Sequence, residues 1–179
     1  MWSGWNLVIP IAALFVTSSV KGGNIQIAAS AYSIYLTTRV IFELISGKYL
    51  SKTTDRHKLS AACVGVLFTS MALFMFALSK TIPLLFFSYA LAGLGVGINS
   101  PAKNALFSTH MDKDNETTEW GVADGATFIS MALATALGGF IAAQFGFKTL
   151  FLVAGSVSLL GFIPYALNIF GKKPIRVDM

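Results

Sequence analysis

The residues best suited to chemistry in this sequence are an arginine and a glutamate that interrupt a long apolar stretch. Arg39 and Glu43 lie four residues apart within the run 27–50, so on a helix they share a face and can form an ion pair. Tyr32 and Tyr35 extend the same face at helical spacing. Two interpretations are equally open. The face is the wall of a polar cavity whose charge pair opens on protonation, or the pair neutralises itself and fixes two helices together.

A second pair of opposite charges lies later in the chain. Lys103 stands near the end of one apolar run, and Asp124 stands near the start of the next, on the face that also carries Trp120. A charge inside a membrane costs about 2.5–3.5 kcal/mol at the helix centre, so such residues are functional candidates by default. The placement favours a gate, in which Asp124 pairs with Lys103 or with the basic loop described below, over substrate contact. Glu43 and Asp124 are the candidate proton carriers, because burial favours the neutral form of a carboxyl group.

Amide, hydroxyl and aromatic side chains supply the remaining candidate binding groups. Asn6, Asn99 and Asn104 fall inside apolar runs. With the two tyrosines and the tryptophan named above, they suit a neutral polyhydroxylated solute, because each hydroxyl needs a partner after desolvation. We therefore expect a sugar as substrate. The aromatic and methionine content suggests an amphipathic, drug-like compound as the alternative. The spacing of Gly93 and Gly97 predicts a close contact between helices rather than a ligand site.

These residues would be positioned by six apolar runs of membrane length. Hydrophobic residues make up 55% of the chain and charged residues only 12%, against about 25% charged in soluble domains. Backbone amides in lipid must be satisfied locally, which favours helices, and short alternating strands of a barrel are not evident. The sequence thus predicts an all-α integral membrane protein with one six-helix domain over 1–179. The predicted spans are 3–20, 27–50, 59–78, 84–108, 120–143 and 149–170.

The distribution of basic residues predicts how this domain is oriented. The stretch 46–59, SGKYLSKTTDRHKL, carries four lysines and arginines against a single acid. Lys and Arg are retained on the cytoplasmic side, so this loop and both chain ends are predicted to lie inside the cell, with the protein in the cell membrane. The predicted inner side holds Lys48, Lys52, Arg56, Lys58, Lys113, Lys172, Lys173 and Arg176, and the predicted outer side holds Lys21, Lys80 and Lys148. The net charge of +5 is thereby explained without a nucleic-acid partner.

The sequence offers no constellation typical of an enzyme. Cys63 is the single cysteine and lies inside an apolar run, and His57 and His110 both fall in loops without evident partners. The sequence shows no paired carboxylates, no spacing typical of metal ligands and no nucleophile with a neighbouring base. We expect neither catalysis nor a bound metal or cofactor. The expected partners are membrane lipid, a small-molecule substrate and a second protein unit.

Three features carry a resemblance to a known family. Gly47 begins a basic stretch close to the pattern G-x-x-x-D-[RK], with Lys52 in the basic position and Ser51 where the pattern has an acid. The fourth run contains AGLGVGINSPAKNALFS, and the fifth ends in ALGG followed by QFGFKTLFLV. In this order and spacing, over nearly the whole chain, the features resemble one half of a major facilitator superfamily transporter.

The resemblance implies a function and a set of site residues. Family members are secondary transporters that work by alternating access, and their first and fourth helices line the cavity, so Asn6 and Asn99 are expected to face it. Gly47 would belong to the gate at the loop after the second span. The first-half arginine of the family is absent, with Tyr89 close to its place, and a Gly-Pro pattern in the fifth helix is missing. These departures are closer to a C-terminal half than to an N-terminal one.

A chain of half the usual length raises the question of the other half. The family normally has about twelve spans in two six-span halves related by an axis along the membrane normal. With both ends inside, two copies of this chain can be related by the same kind of axis. We therefore expect a parallel homodimer with a central cavity, acting as a proton-coupled symporter. A split half of a longer transporter and a non-transporting subunit of a larger assembly remain alternatives.

Overall fold

A computed structural model describes residues 5–112 and 114–170. In this part of the chain every regular element is a helix, and the order is α1 Ile9–Ser19, α2 Ile25–Leu50, α3 Asp55–Phe76, α4 Ile82–Thr109, α5 Glu116–Leu160 and α6 Phe162–Phe170. Three described stretches are long and apolar enough to cross a membrane: α3, α4 and the continuous segment Glu116–Ile169. The all-α membrane fold is confirmed, whereas the number of six spans stays a prediction. Lys113 and the basic tail 171–179 lie outside the described residues.

The ends and breaks of the helices follow from local sequence. The side chain of Asn24 accepts a hydrogen bond of 2.9 Å from the N–H of Ile27 and so caps the start of α2. Pro83 stands in the first turn of α4, where its missing N–H costs nothing. The backbone of Gly146 has φ 79° and ψ 168°, so α5 is bent there into a first arm, 116–145, and a second arm, 147–160. Residues that carry a side chain rarely adopt this backbone φ, which explains why a glycine stands at the break.

Helix α4 is the centre of the packing and meets α2 and α3 through glycines on different faces. A Cβ added at Gly93 would lie 2.5 Å from the Tyr35 carbonyl oxygen of α2, and one at Gly97 would lie 2.7 Å from the Arg39 carbonyl oxygen. Toward α3, a Cβ at Gly95 would lie 2.6 Å from the Thr69 backbone nitrogen. The predicted helix contact at the glycine pair is confirmed. Such close backbone approach is how helices associate in lipid, where apolar side chains gain little by leaving it.

A proline inside α4 leaves one carbonyl group without its usual partner. Pro101 has no N–H, so it cannot donate to the carbonyl of Gly97 four residues earlier. The hydroxyl of Ser46, on α2, donates a hydrogen bond of 2.8 Å to that oxygen. Gly47, the next residue of α2, lies beside Pro101: a Cβ added at Gly47 would be 3.8 Å from the proline Cβ. The two helices are therefore joined where α4 is locally weakest.

Ser46 and Pro101 are expected to be coupled in stability. Replacing Ser46 with alanine should cost about 1 kcal/mol, because the buried Gly97 carbonyl loses its donor. In a Pro101→Ala background the alanine N–H can serve that carbonyl, so the same replacement should cost much less. Thermal unfolding of the four proteins of this double-mutant cycle measures the coupling. Equal costs in both backgrounds would contradict the role assigned to Ser46.

The second arm of α5 completes the core, whereas the first arm is largely exposed. Aromatic rings connect α1, α3 and the second arm: Phe15 meets Phe151 edge-on at 4.7 Å between ring centroids, and Phe76 stacks on Phe151 at 5.4 Å. In the first arm only Ala134 and Gly138 are buried. This arm rests on the N-terminal segment of the described chain, and most of its apolar side chains face outward.

Candidate functional site

An aromatic cluster at the junction of the N-terminal segment with α2, α3 and α4 forms the first part of the candidate site. The Trp5 ring stacks on Tyr35 with centroids 5.0 Å apart, and Tyr35 stacks on Tyr32 at 5.5 Å. On the opposite side Phe76 meets Tyr89 edge-on at 4.8 Å. These rings enclose a small cavity of about 20 Å³, which is lined by Trp5, Val8, Ile9, Ala12, Tyr32, Phe76 and Tyr89. The cavity is thus lined by aromatic rings and aliphatic side chains, and its surface is mainly apolar.

The ion pair predicted on α2 is present next to this cluster. Arg39 Nε lies 3.1 Å from Glu43 Oε2, and the side chains are 28% and 35% exposed. The Arg39 guanidinium also hydrogen-bonds the hydroxyl of Tyr35. The α2 face therefore carries a continuous polar stripe from Tyr32 to Glu43. Because the pair is about one-third exposed, it lines an open surface and is not enclosed between two helices of this unit.

The three asparagines predicted at the site are placed in different surroundings. Asn99 is buried between α4 and α3, where its amide nitrogen donates a 3.0 Å hydrogen bond to the Ala62 carbonyl. Asn6 is buried beside the first arm of α5, and its backbone carbonyl oxygen accepts a 3.4 Å hydrogen bond from the hydroxyl of Thr135. Asn104 is exposed on α4. The structure therefore places Asn6 against the first arm of α5, outside the lining of the cavity, and Asn99 links α4 to α3.

The remaining predicted residues gather where the end of α4 meets the start of α5. Lys103 is half-buried and interacts electrostatically with the exposed Asp124 of the first arm. Trp120 meets Phe107 edge-on with ring centroids 4.8 Å apart. The proximity of the two charges fits the gate that the sequence predicts between Asp124 and Lys103, and it leaves the role itself a prediction.

Sequence reasoning missed three members of the aromatic cluster. Trp5 stands directly before Asn6, Phe76 ends α3 and Tyr89 lies in the first half of α4. An aromatic residue in an apolar run is more often lipid-facing or core than part of a site, so each of these rings is ambiguous alone. Only the packing of the helices shows that the three rings and Tyr32 line one cavity, with Tyr35 stacked behind Trp5.

Long apolar helices, an ion pair on one helix face and backbones in contact through glycine define the class of protein. These are features of an integral membrane protein whose helices associate through small residues. The family model of the Major Facilitator Superfamily matches residues 1–177. The chain belongs to this superfamily, whose members are transporters and not enzymes.

Among curated proteins the chain is similar to quinolone resistance proteins. It is 22% identical over 171 residues to the quinolone resistance protein NorA of Staphylococcus aureus strain MRSA252, an alignment that covers 95% of this chain and 42% of the relative. With NorA of strain Mu50 it shares 22% identity over 161 residues, covering 89% of this chain and 40% of that protein. The chain therefore spans about two fifths of the length of these relatives.

Proposed function

We propose that this chain forms one half of a secondary transporter that moves an amphipathic, aromatic compound by alternating access. The observation that carries the proposal is the aromatic wall formed by Trp5, Tyr32, Phe76 and Tyr89, with the Arg39–Glu43 pair on the adjoining stripe. The cavity of about 20 Å³ between these rings has room for about one water molecule, so the rings must move apart to admit the compound. A planar apolar compound can stack on such rings, each pair contributing about 0.5–1.5 kcal/mol beyond area burial. A charge on that compound can meet the ion pair. The similarity to proteins named for quinolone resistance supports the same class of substrate.

A sugar is the alternative substrate, and its support is narrower. Tyr32 and Tyr89 each bring a hydroxyl to the residues that line the cavity, but Asn6 is not among those residues and Asn99 already donates to the Ala62 carbonyl. A sugar needs a partner for nearly every hydroxyl once it leaves water. The described cavity is lined mainly by carbon atoms and so favours the amphipathic compound. The sugar therefore ranks second in this proposal.

The transport unit we propose contains a second copy of this chain, related by an axis along the membrane normal. Its support is the open side of the polar stripe, where Tyr32 is 41% exposed and the ion pair is about one-third exposed. Asp124, on the first arm of α5, is exposed as well. Lipid does not solvate such groups, so a facing unit is expected to cover them. The exposed apolar face of the first arm of α5 offers further contact area. Two units facing each other would enclose the path that one leaves open, with both chain ends in the cytoplasm.

The homodimer is tested by mass and by transport together. The purified 179-residue chain, in mild detergent, should give a dimer mass by native mass spectrometry, and its liposomes should take up substrate. A monomer that transports would contradict the homodimer. A monomer that does not transport is the result expected if the chain works together with a different polypeptide. That polypeptide would be either the other half of a longer transporter or another protein of a larger assembly, in which this chain is a non-transporting subunit.

The aromatic lining of the cavity predicts which class of compound the protein binds. Among fluoroquinolones, aromatic cations, sugars and amino acids, the first two should raise the melting temperature of the purified protein, because ligand bound only to the folded state stabilises it. Replacing Tyr32 with leucine should weaken that binding about tenfold, since a stacked ring is lost from the cavity. Phe87→Leu is the matched control, because Phe87 is 57% exposed and is not among the residues that line the cavity. Stabilisation by sugars alone would reverse the order of the two candidates.

A further inference from the structure

A larger cavity opens on the surface between α2, α3 and α4, away from the aromatic cluster. It has a volume of about 370 Å³ and is an open groove rather than a closed chamber. Its apolar walls are formed by Phe42, Ile45, Leu50, Ala61, Val64 and Ile98. Ile45 and Val64 are 59% and 43% exposed, so the groove opens sideways toward whatever surrounds the helices. In a membrane protein that surrounding medium is lipid acyl chain.

Polar side chains line one end of the groove. Tyr49, His57 and Ser60 line it near the loop that joins α2 to α3. The His57 Nδ1 atom lies 2.9 Å from the Thr54 hydroxyl, which fixes the ring and leaves the Nε2 edge for other contacts. The end of the groove is therefore built from ordered polar groups next to an apolar channel.

The loop beside this end carries positive charge that the described protein does not neutralise. Lys58 pairs with Asp55 at 2.9 Å. Lys48, Lys52 and Arg56 are exposed, and within residues 5–112 and 114–170 none of the three takes part in an ion pair. Lys48 precedes the groove residue Tyr49, and Arg56 precedes the groove residue His57, so the backbone positions that carry these two cations lie at the polar end of the groove.

We propose that this groove is a binding site for one anionic phospholipid. The upper part of an acyl chain lies along Ile45, Val64 and Ile98, and the phosphate meets the loop cations and the His57 ring. An apolar channel that ends at uncompensated positive charge matches a molecule with a long apolar tail and a negative head. Each basic residue near an anionic headgroup strengthens binding by roughly fivefold. The site does not depend on which solute the protein transports.

Native mass spectrometry of the purified chain, titrated with dioleoyl phosphatidylglycerol or dioleoyl phosphatidylcholine, tests the site. The unaltered protein should retain one phosphatidylglycerol with at least tenfold preference over phosphatidylcholine. The variant K48Q/K52Q/R56Q should lose that preference, with phosphatidylcholine binding unchanged. Val64→Trp, which fills the channel, should weaken both lipids. K21Q/K80Q is the matched control, because it removes two exposed cations from the loops at the other ends of α2 and α4.

Several results would overturn the site. Equal retention of the two lipids by the unaltered protein removes the charge argument, and an equal loss in K21Q/K80Q shows general attraction to the surface. Displacement of the lipid by soluble glycerol phosphate would show that the channel takes no part. Should Val64→Trp unfold the protein, as circular dichroism would reveal, Ile45→Trp is the replacement, because Ile45 is the more exposed wall residue.

Discussion

Replacing Gly93 with leucine is expected to lower the free energy of unfolding by about 3 kcal/mol or more and to abolish transport. A Cβ at this position would lie 2.5 Å from the Tyr35 carbonyl oxygen and 3.1 Å from the Arg39 backbone nitrogen. These are backbone atoms of α2, so the strain cannot be relieved by turning a side chain, and α2 and α4 must move apart. That movement would displace Tyr35 and Arg39 from the polar stripe. Thermal or denaturant unfolding in detergent measures the loss.

Gly139→Leu is the matched control for this prediction. Gly139 is also a helical glycine within an apolar run, but nothing lies within 4 Å of a Cβ added there. The Gly139→Leu variant should therefore be as stable as the unaltered protein, and the higher helix propensity of leucine favours the variant slightly. If both variants lost similar stability, close approach of α2 to α4 would not be the reason that glycine stands at position 93.

The fold and part of the site could be predicted from sequence because they depend on local pattern. Apolar runs indicate helices, residues four apart share a helix face, and two glycines four apart indicate close helix contact. The Arg39–Glu43 pair and the Gly93–Gly97 contact are both found where these rules place them. The break at Gly146 also falls within the turn expected between the last two runs.

The remaining features depend on which faces of distant helices meet. The sequence shows that Asn99 lies inside an apolar run, but it does not show which way the amide points. In the structure the side chain turns toward the Ala62 carbonyl of α3. The link between Ser46 and the carbonyl freed by Pro101 joins residues about fifty positions apart. The cavity around Trp5 needs four separate segments. Periodicity within one helix contains no information on such angles, so only the assembled structure shows them.

In the proposed transporter, the polar stripe on α2 is where we expect proton binding to be coupled to movement. Arg39 and Glu43 neutralise each other at 3.1 Å, and Arg39 also holds the Tyr35 hydroxyl. If Glu43 binds a proton, the pair loses its negative charge and Arg39 needs another partner. Tyr35, the substrate or a facing unit would supply that partner. The cost of an unpaired cation in a membrane then favours a different arrangement of the helices. Glu43 is thus the residue at which we expect proton and substrate to be linked.

Replacing Glu43 with glutamine is accordingly expected to remove the response of transport to a pH gradient. Glutamine has no carboxyl group to carry a proton, so uptake or efflux in liposomes should become independent of the imposed gradient. The rate should also fall at least tenfold, because Arg39 loses its charged partner. Transport of a fluorescent aromatic cation, measured with and without a gradient at constant membrane potential, gives both quantities.

Two further variants separate proton coupling from simple damage to the stripe. Glu43→Asp keeps a titratable carboxyl group on α2 and should retain the pH response at a reduced rate. Glu116→Gln removes an exposed carboxylate from the first turn of α5, outside the stripe, and should change neither the rate nor the response. A normal pH response in Glu43→Gln would remove Glu43 from the coupling path. Asp124, which interacts electrostatically with the half-buried Lys103, would then be the carboxyl group to test in the same assay.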